Sequence, residues 1–564
     1  MRFVSIAIVC TAALLSTACG GGSSGTAAAS SSQTAVASPP PAAGASNATY
    51  QNESGCLSYS ISNINGVAGT DPLFANQWHL RNTGQSGGTA GEDLNVVAAW
   101  TTTKGLGARV AVVDDAVETI HPDLAPNVVA GASYNYRKGI NNGTAFPFPC
   151  SANESHGTAV AGLIAARDGN SVGGSGVAPR VALVGLNPLA TNLDVDIGDA
   201  LVKDGANNLI YNNSWGSPDD GKLHAAEATF KSAINFGIAN GRGGKGSIYV
   251  FPAGNGGCYA GTVKLDSSCD GFSDNANFDG YTNFMGIIAA CAVTDKGRKP
   301  WYDETGANVL VCGVSSDRSA NVVTTDLTSP SGKSGYRSDF SGTSASTPMV
   351  SGVAALMLAV RPELTWRDVR LVLAQSARRN DNSDSAWTSN FGYHYHPSYS
   401  FGVVDAQAAV ALAQTWTSVG GSSTLQSCVL PARTVNAAIT DAPTSTTAGV
   451  TVEDTITVSA AACGISKIEF IEVGFAADMA RGASGDLRVR LVSPAGLVSE
   501  LANGRICDGG CGNYGDASGN NPWTFGSTRH LGEAAAGAWK LQVTDMIPQD
   551  TGTFRNWSIR FWGR

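Results

Sequence analysis

Positive charge is in short supply. Among 564 residues, 36 Lys and Arg face 45 Asp and Glu, a formal net charge of −9. That balance argues against nucleic acid as a partner and mildly favours basic ligands. Lysine is scarce, while glycine (68) and tryptophan (11) are plentiful, a texture commoner in extracellular, loop-rich proteins. No apolar run beyond the N-terminus reaches the ~18 residues needed to cross a bilayer, so no membrane span is expected. No internal repeat is present, which excludes a repeat array. What remains is a chain with 43% hydrophobic residues, long enough for a substantial core and more than one domain.

The N-terminus carries an export signature. Arg2 precedes the apolar run 3–15, too short for a membrane span, so 1–18 reads as a signal peptide. The next residues, "LLSTACGGGSS", allow two processing routes: a lipoprotein cut before Cys19, leaving a lipid on that cysteine, or ordinary cleavage after Ala18. Residues 19–66, rich in Gly, Ala, Ser and Pro, read as a disordered tether. The expected location is exported: held at a bacterial cell envelope by lipid, or secreted, with no membrane contact except through Cys19.

Twelve cysteines suit an oxidising compartment. Setting aside Cys10 and Cys19 leaves an even set, with Cys258–Cys269 and Cys428–Cys463 as plausible local disulfides. "CDGGC" at Cys507 and Cys511 reads as a small disulfide loop, with a metal clip as the alternative.

From 67 to 419, short apolar runs alternate with helical patterns. "ARVAVVDD", "VALVGL", "NLIYNNSWG" and "GSIYVFPAGN" read as buried strands; "HGTAVAGLIAA" and "LTWRDVRLVLAQSA" read as helices, the second capped by Thr365. Such alternation indicates a parallel sheet flanked by helices, with functional groups gathered at strand carboxyl ends. Asp114, Ser214 and Asn255 fall there. A Gly-Ser linker at 420–427 leads into 428–564, where "DLRVRLVSPAG", "AWKLQVTD" and "TFRNWSIRFWG" alternate with period two, the pattern of an all-β sandwich.

Three weak signals become specific together. Ser344 in "GTSASTPMVSGVAALMLAV" sits at a helix start, where backbone N–H groups favour developing negative charge. His156 opens another helix, and Asp114 ends a buried strand. A serine hydroxyl needs a histidine to take its proton, and the histidine needs a carboxylate to fix its tautomer. The order Asp, His, Ser on an α/β pattern, carried by "VAVVDD…HPDL", "HGTAVAG" and "SGTSASTPMVSG", resembles the subtilisin-like serine proteases (subtilases). "DPLFANQWHL", "SWGSPDDGK", "PAGNGG", "DGYTN" and "PWYDE" narrow the likeness to the kexin/furin (proprotein convertase) branch. The tail, through "GDLRVRLVSPAG", "WTFGSTRHLGE" and "GTFRNWSIRFWG", resembles the P domain (homo B) of that branch.

The resemblance implies a subtilisin-like α/β catalytic domain followed by a jelly-roll-like P domain. It implies that Asp114 orients His156, that His156 is base then acid, that Ser344 attacks, and that Asn255 supplies an oxyanion-hole amide. Asp219 and Asp279 would line the pocket for the residue before the scissile bond, and Asp115 would favour a basic residue one further back. Ser214, Trp215, Gly216 and Tyr281 would border the substrate. Calcium is the implied cofactor, in two or more ions: one at Asp219, Asp274 and Glu304; a second at Asp71, Asp123, the Asn170 side chain and carbonyls near Arg167, Val172 and Gly174. Hard oxygen ligands of this kind suit calcium.

The expected function is an exported, calcium-dependent serine endopeptidase cleaving protein or peptide substrates after Arg or Lys, with dibasic sites favoured. Ala225 and Asn153 stand where furin has further acids, so multibasic preference should be looser. Residues 19 to about 66 leave little room for the family's inhibitory prodomain, which points to unassisted folding or a separate chaperone. Two rivals remain: a broad-specificity subtilase whose acids serve only calcium, and a catalytically silent surface-binding protein. "HYH" at 394–396 reads as exposed or stacked histidines rather than a metal site. Asp220 has no assigned role.

Overall fold

The computed structural model describes residues 71–137, 143–258, 273–317, 320–328, 334–515 and 521–564, with the backbones of short strands at Thr49–Gln51, Ser58–Ser60, Tyr259–Ala260 and Val263–Lys264. The signal segment, Cys19 and Cys269 lie outside the described residues. Within the segment expected to be tether, Thr49–Gln51 and Ser58–Ser60 pair antiparallel.

Runs of Val, Ile, Leu and Ala with no polar face demand cover on both sides, and they build the sheet of the N-terminal unit. Its strands are β1 (Arg109–Val113), β2 (Ala182–Leu186), β3 (Ile210–Asn213), β4 (Ile248–Pro252), β5 (Ile287–Val293) and β6 (Val309–Val314). All are parallel, in the order β6-β5-β4-β3-β1-β2. The chain leaves β1 for the β2 edge and returns to β3 on the other side of β1. That reversal opens a crevice beyond the carboxyl ends of β1 and β3, where open α/β sheets bind ligands. Asp114 and Ser214 are the residues immediately after these two strands.

Helices α1 (His156–Ala165), α2 (Ala228–Gly244), α3 (Thr343–Val360), α4 (Trp366–Ser376) and α5 (Ala406–Thr415) accompany the sheet. Helix α3 corrects one expectation. It is long and apolar enough to cross a membrane by composition, with mean hydropathy 1.4 over 18 residues. It is instead a core helix, packed on α1 and against β3–β6, with 89% of that window buried. Helix α4 begins as expected at Thr365, which closes a reciprocal capping box with Asp368.

The C-terminal unit is a sandwich of two antiparallel sheets. One carries β7 (Gln426–Val429), β8 (Arg433–Ile439), β10 (Ile468–Met479), β13 (Trp523–Ser527) and β15 (Gly552–Gly563); the other carries β9 (Val452–Val458), β11 (Leu487–Val492), β12 (Val498–Ala502) and β14 (Gly537–Asp545). β11 alternates buried and half-buried residues along its length, as period-two patterning requires. Trp539, Trp557, Phe475, Phe525 and Phe554 fill the space between the sheets.

The two units interlock. Phe278 and Ala307 of the N-terminal unit join the sandwich core, and Phe470 and Leu531 of the sandwich join the N-terminal core. Arg367 on α4 forms a two-pronged ion pair with Glu469 on β10, at 2.8 and 2.6 Å, with side chains 0% and 4% exposed. The stretch expected as a linker is docked rather than free: the Ser422 hydroxyl donates to the Ile238 carbonyl and accepts from the Trp366 indole.

Cys428–Cys463 and Cys507–Cys511 are disulfides, so "CDGGC" is a covalent loop and not a metal clip. Cys291–Cys312, which sequence reading did not anticipate, joins register partners on β5 and β6. Cys258 is also disulfide-bonded.

Candidate active site

The crevice at the sheet's reversal gathers the three chemistry-bearing residues from separate elements. Asp114, 1% exposed, follows β1, and its backbone N–H is tied to the Leu186 carbonyl of β2. Its Oδ1 accepts from His156 Nδ1 at 2.9 Å and from the Asp115 N–H at 2.8 Å. With Nδ1 carrying the proton toward Asp114, Nε2 is left as the basic nitrogen. Burial lowers the imidazole pKa, but the Asp114 charge and hydrogen bond outweigh it and the net shift is upward. Ser344 lies in the first turn of α3, and its hydroxyl donates to the Ser214 carbonyl at 3.1 Å. The structure thus joins His156 to Asp114 directly and turns the Ser344 hydroxyl toward the end of β3.

Asn255 follows β4, and its side-chain Oδ1 accepts from the Thr343 N–H at 2.8 Å and hydroxyl at 3.0 Å. Pinning the oxygen fixes the carboxamide beside the start of α3, with its NH2 group as donor. Thr343 is a site residue that sequence reading missed, although it lies inside the quoted "GTSAS" motif.

Ser214, Trp215 and Gly216 run on from β3. Ser214 is held by the Asn212 amide at 3.0 Å, itself held by Ser351 of α3 at 2.7 Å. The Trp215 indole N–H donates to the Val113 carbonyl at 2.8 Å, and its ring meets Phe251 and Tyr281 edge-on. Asp279 is gripped by this strand end: its carboxylate accepts from the Ser217 N–H and hydroxyl, both at 3.0 Å, and from the Tyr281 N–H at 2.7 Å. Asp219, two residues after Ser217, accepts from the Asn255 N–H at 3.2 Å. Asp279 is therefore held against the short segment that leads away from Ser214, and Asp219 lies on that segment. Protein crowding around the Asp219 carboxyl pushes its pKa up, and the Asp279 charge adds to the rise.

Asp115 has a second engagement that the sequence did not suggest. Its carboxylate accepts from the N–H groups of Ala116 (2.6 Å), Gly157 (2.8 Å) and His156 (3.2 Å), so it caps α1 and fixes the entry of His156. Burial and the adjacent Asp114 raise its pKa to about 7. Asp220 anchors its own turn: the carboxylate takes the Lys222 N–H at 3.0 Å and His224 Nε2 at 2.8 Å.

Asp219, Asp274 and Glu304 converge on Gly256. A Cβ there would lie 2.6 Å from Asp274 Cβ and 3.1 Å from both Asp219 Cβ and Glu304 Oε1, so only glycine fits. Burial and mutual repulsion push the Asp274 and Glu304 carboxyls well above the usual range. Three acids crowded this closely fit a hard cation, which would relieve their repulsion. Asp71, Asp123 and Asn170 also meet in one loop cluster. Gly169 N–H (2.7 Å) and the Ser175 hydroxyl (3.0 Å) hold Asp71, while the Asn170 amide (2.7 Å) and Gly174 N–H (3.1 Å) hold Asp123. The Asn170 oxygen accepts from the Val172 N–H at 3.1 Å, and the Arg167 N–H donates to the Asp123 carbonyl at 2.8 Å. Burial raises Asp123 to about 8. Among the described residues no group of three or more His, Cys, Asp or Glu side chains is arranged to hold a metal ion as it stands; what these acids show is convergence. The His394 ring meets Trp387 edge-on and the His396 ring is tilted against it, while His396 stacks on Tyr399.

Comparison with known proteins agrees with this architecture. The Subtilase family pattern matches residues 105–393, and the Proprotein convertase P-domain pattern matches 472–561. The dibasic-processing endoprotease of Schizosaccharomyces pombe is 33% identical over 519 residues, covering 91% of this chain and 68% of that protein. Kexin of Saccharomyces cerevisiae is 32% identical over 499 residues, 87% of this chain but 56% of its own length. The crystal structure of a serine protease of Aeromonas sobria superposes with a TM-score of 0.73 at 26% identity, over 89% of this chain and 97% of that one. The same protease has been solved in complex with a chaperone. With both domain patterns matched and a relative 33% identical along most of its length, the chain belongs to the subtilase family of serine endopeptidases, in the branch that joins a proprotein convertase P domain to the peptidase.

Proposed function

We propose that this chain is an exported, calcium-dependent endopeptidase that cleaves after Arg or Lys. The observation that carries the specificity is the gathering of two carboxylates along the segment that leads away from Ser214: Asp279 accepts from Ser217, and Asp219, two residues on, accepts from the Asn255 N–H. A guanidinium between them gains about 4 kcal/mol of Coulomb energy per close pair at an effective dielectric near 20. A neutral side chain would leave both carboxylates unpaired.

In this reading the Ser344 hydroxyl leaves the Ser214 carbonyl, passes its proton to His156 Nε2 and bonds to the substrate carbonyl carbon. The carbonyl oxygen takes the negative charge and is met by the Asn255 amide and the Ser344 N–H, donors fixed before reaction begins. Asp114 stabilises the imidazolium. His156 then gives the proton to the departing amine as the C–N bond breaks, and water, deprotonated by His156, releases the acyl group from Ser344. Asp219, Asp274 and Glu304 would hold one calcium ion. Asp71, Asp123, Asn170 and the nearby carbonyls of Arg167, Val172 and Gly174 would hold a second, with the Asn170 amide turned to present its oxygen. Calcium bound there would neutralise the clustered carboxylates. The apolar run after Arg2 supports export, with lipid on Cys19 as the proposed anchor, and the chaperone complex of the Aeromonas sobria protease supports a folding partner here.

A second reading is a broad-specificity subtilase, favoured by the convergence of Asp219 on Asp274 and Glu304 rather than on the pocket alone. Wild type and Ser344→Ala assayed on matched peptides ending in Arg-Arg, Lys-Arg or Leu-Leu separate the readings. Equal cleavage of the Leu-Leu peptide removes basic specificity, and equal, negligible activity in both proteins removes catalysis.

A further inference from the structure

The loop after β12 reaches out of the sandwich and into the catalytic unit beside the two pocket acids. Its Asn503 side chain accepts from the Asn275 amide at 3.0 Å. Ile506 exchanges hydrogen bonds with Ser273, at 3.0 and 3.2 Å, and the Asp508 N–H donates to the Asp220 carbonyl at 3.0 Å. The approach is so close that Gly221 (φ +77°) could not be another residue: a Cβ there would lie 2.6 Å from the Ile506 carbonyl oxygen and 2.8 Å from that of Ser273.

At the centre of this contact is Arg505, 3% exposed. Its Nε donates to the Gly221 carbonyl at 2.6 Å, and its guanidinium lies 4.0 Å from the centre of the Phe278 ring. Its terminal nitrogens are fixed within the sandwich by the Tyr514 hydroxyl at 2.6 Å and the Ser484 hydroxyl at 3.3 Å. Gly221 is two residues beyond Asp219, and Phe278 immediately precedes Asp279. One side chain of the sandwich therefore grips both backbone segments that carry the pocket acids. These hydrogen bonds go to neutral acceptors, so the guanidinium fastens the walls without occupying the carboxylates that would meet substrate. The charge of the nearby Asp274 carboxylate offsets part of the cost of burying this cation, whose direct partners include a carbonyl, two hydroxyls and an aromatic face. The planar fork is what a geometric role needs, because its donors fix direction as well as distance.

We propose that Arg505 is a positioning residue for basic-residue selection, setting the separation of Asp219 and Asp279 through the Gly221 carbonyl and the Phe278 ring. The inference rests on the specificity reading above and adds to it a role for the sandwich in the pocket itself.

The test uses the full chain with Arg505→Met, Arg505→Lys and Tyr514→Phe. Each is assayed for kcat and KM on peptides differing only in arginine or citrulline at the cleaved position, and for inactivation by a small uncharged fluorophosphonate. The fluorophosphonate reports Ser344 and His156 without entering the pocket. In Arg505→Met, KM for the arginine peptide should rise and its kcat/KM fall roughly tenfold or more, as for loss of a hydrogen bond from a charged donor. Citrulline cleavage and the fluorophosphonate rate should stay within about twofold, with Arg505→Lys restoring part of the loss by keeping a cation on Phe278. A parallel fall of all three rates would make Arg505 only a fastener between domains and overturn the proposal, as would an unchanged arginine-to-citrulline ratio. Should Arg505→Met not fold, Tyr514→Phe reads the same ratio: a drop of about threefold supports the proposal and no drop overturns it. A wild-type ratio near one would overturn the specificity reading itself, an outcome distinct from a normal wild-type ratio that Arg505→Met leaves intact.

Discussion

Neutralising one of two adjacent aspartates should separate a specificity group from a turn former. Asp219 and Asp220 share a turn but face different partners. Asp219 meets the Asn255 N–H and lies two residues beyond Ser217, which holds Asp279, whereas Asp220 is spent on Lys222 and His224. A guanidinium in contact with one carboxylate gains about 4 kcal/mol at an effective dielectric near 20. Asp219 is exposed, so solvent screening reduces the usable part to about 1 kcal/mol, or roughly fivefold in kcat/KM. Asp219→Asn should therefore cut the arginine-to-citrulline ratio by about that factor at saturating calcium, with a leucine peptide as control. Asp220→Asn breaks only a part-exposed ion pair; it should change the ratio less than about twofold and stability by about 1 kcal/mol or less. Equal losses in the two variants, or an intact ratio in Asp219→Asn, would refute the assignment.

Glu469→Gln leaves Arg367 fully buried without its counter-charge and should destabilise the first unfolding transition by about 3–5 kcal/mol; a change under about 1 kcal/mol in urea titration contradicts the interlocked interface. Because the net shift of His156 is upward from 6.5, and the base must be neutral, kcat/KM should rise with pH through a midpoint above 6.5. An acid limb at or below 6.5 in the pH profile would contradict the Asp114–His156 coupling. Stripping calcium with EGTA should lower the melting temperature, since ligand at about a thousandfold its Kd stabilises by about 4 kcal/mol. An unchanged melting curve would contradict both calcium assignments.

Short-range motifs carried most of the catalytic unit into view. Asp114 and Ser214 were legible because each ends an apolar strand, and their nearness follows from the reversal of strand order between β1 and β3. Ser344 and His156 were legible because each opens a helix inside a specific motif. Three features were not legible, each for a physical reason. The capping of α1 by Asp115 depends on where His156 and Gly157 arrive from 41 and 42 residues away. Cys291 and Cys312 sit in apolar runs that read as packing, and only the parallel register brings them together. Arg505 lies in a loop of the second unit, and no local pattern says that it docks on Gly221, 284 residues earlier in the chain. Docking between units depends on matched surfaces, which periodicity does not encode.

The most direct measurement compares arginine with citrulline at the cleaved position of one peptide in the wild-type enzyme. Citrulline keeps the shape and removes the charge, so the ratio of kcat/KM isolates what Asp219 and Asp279 contribute. With two carboxylates at about 1 kcal/mol each after screening, the expected ratio is on the order of thirtyfold. A ratio near one, with the citrulline peptide cleaved efficiently at a Ser344-dependent rate, would contradict the basic-residue specificity.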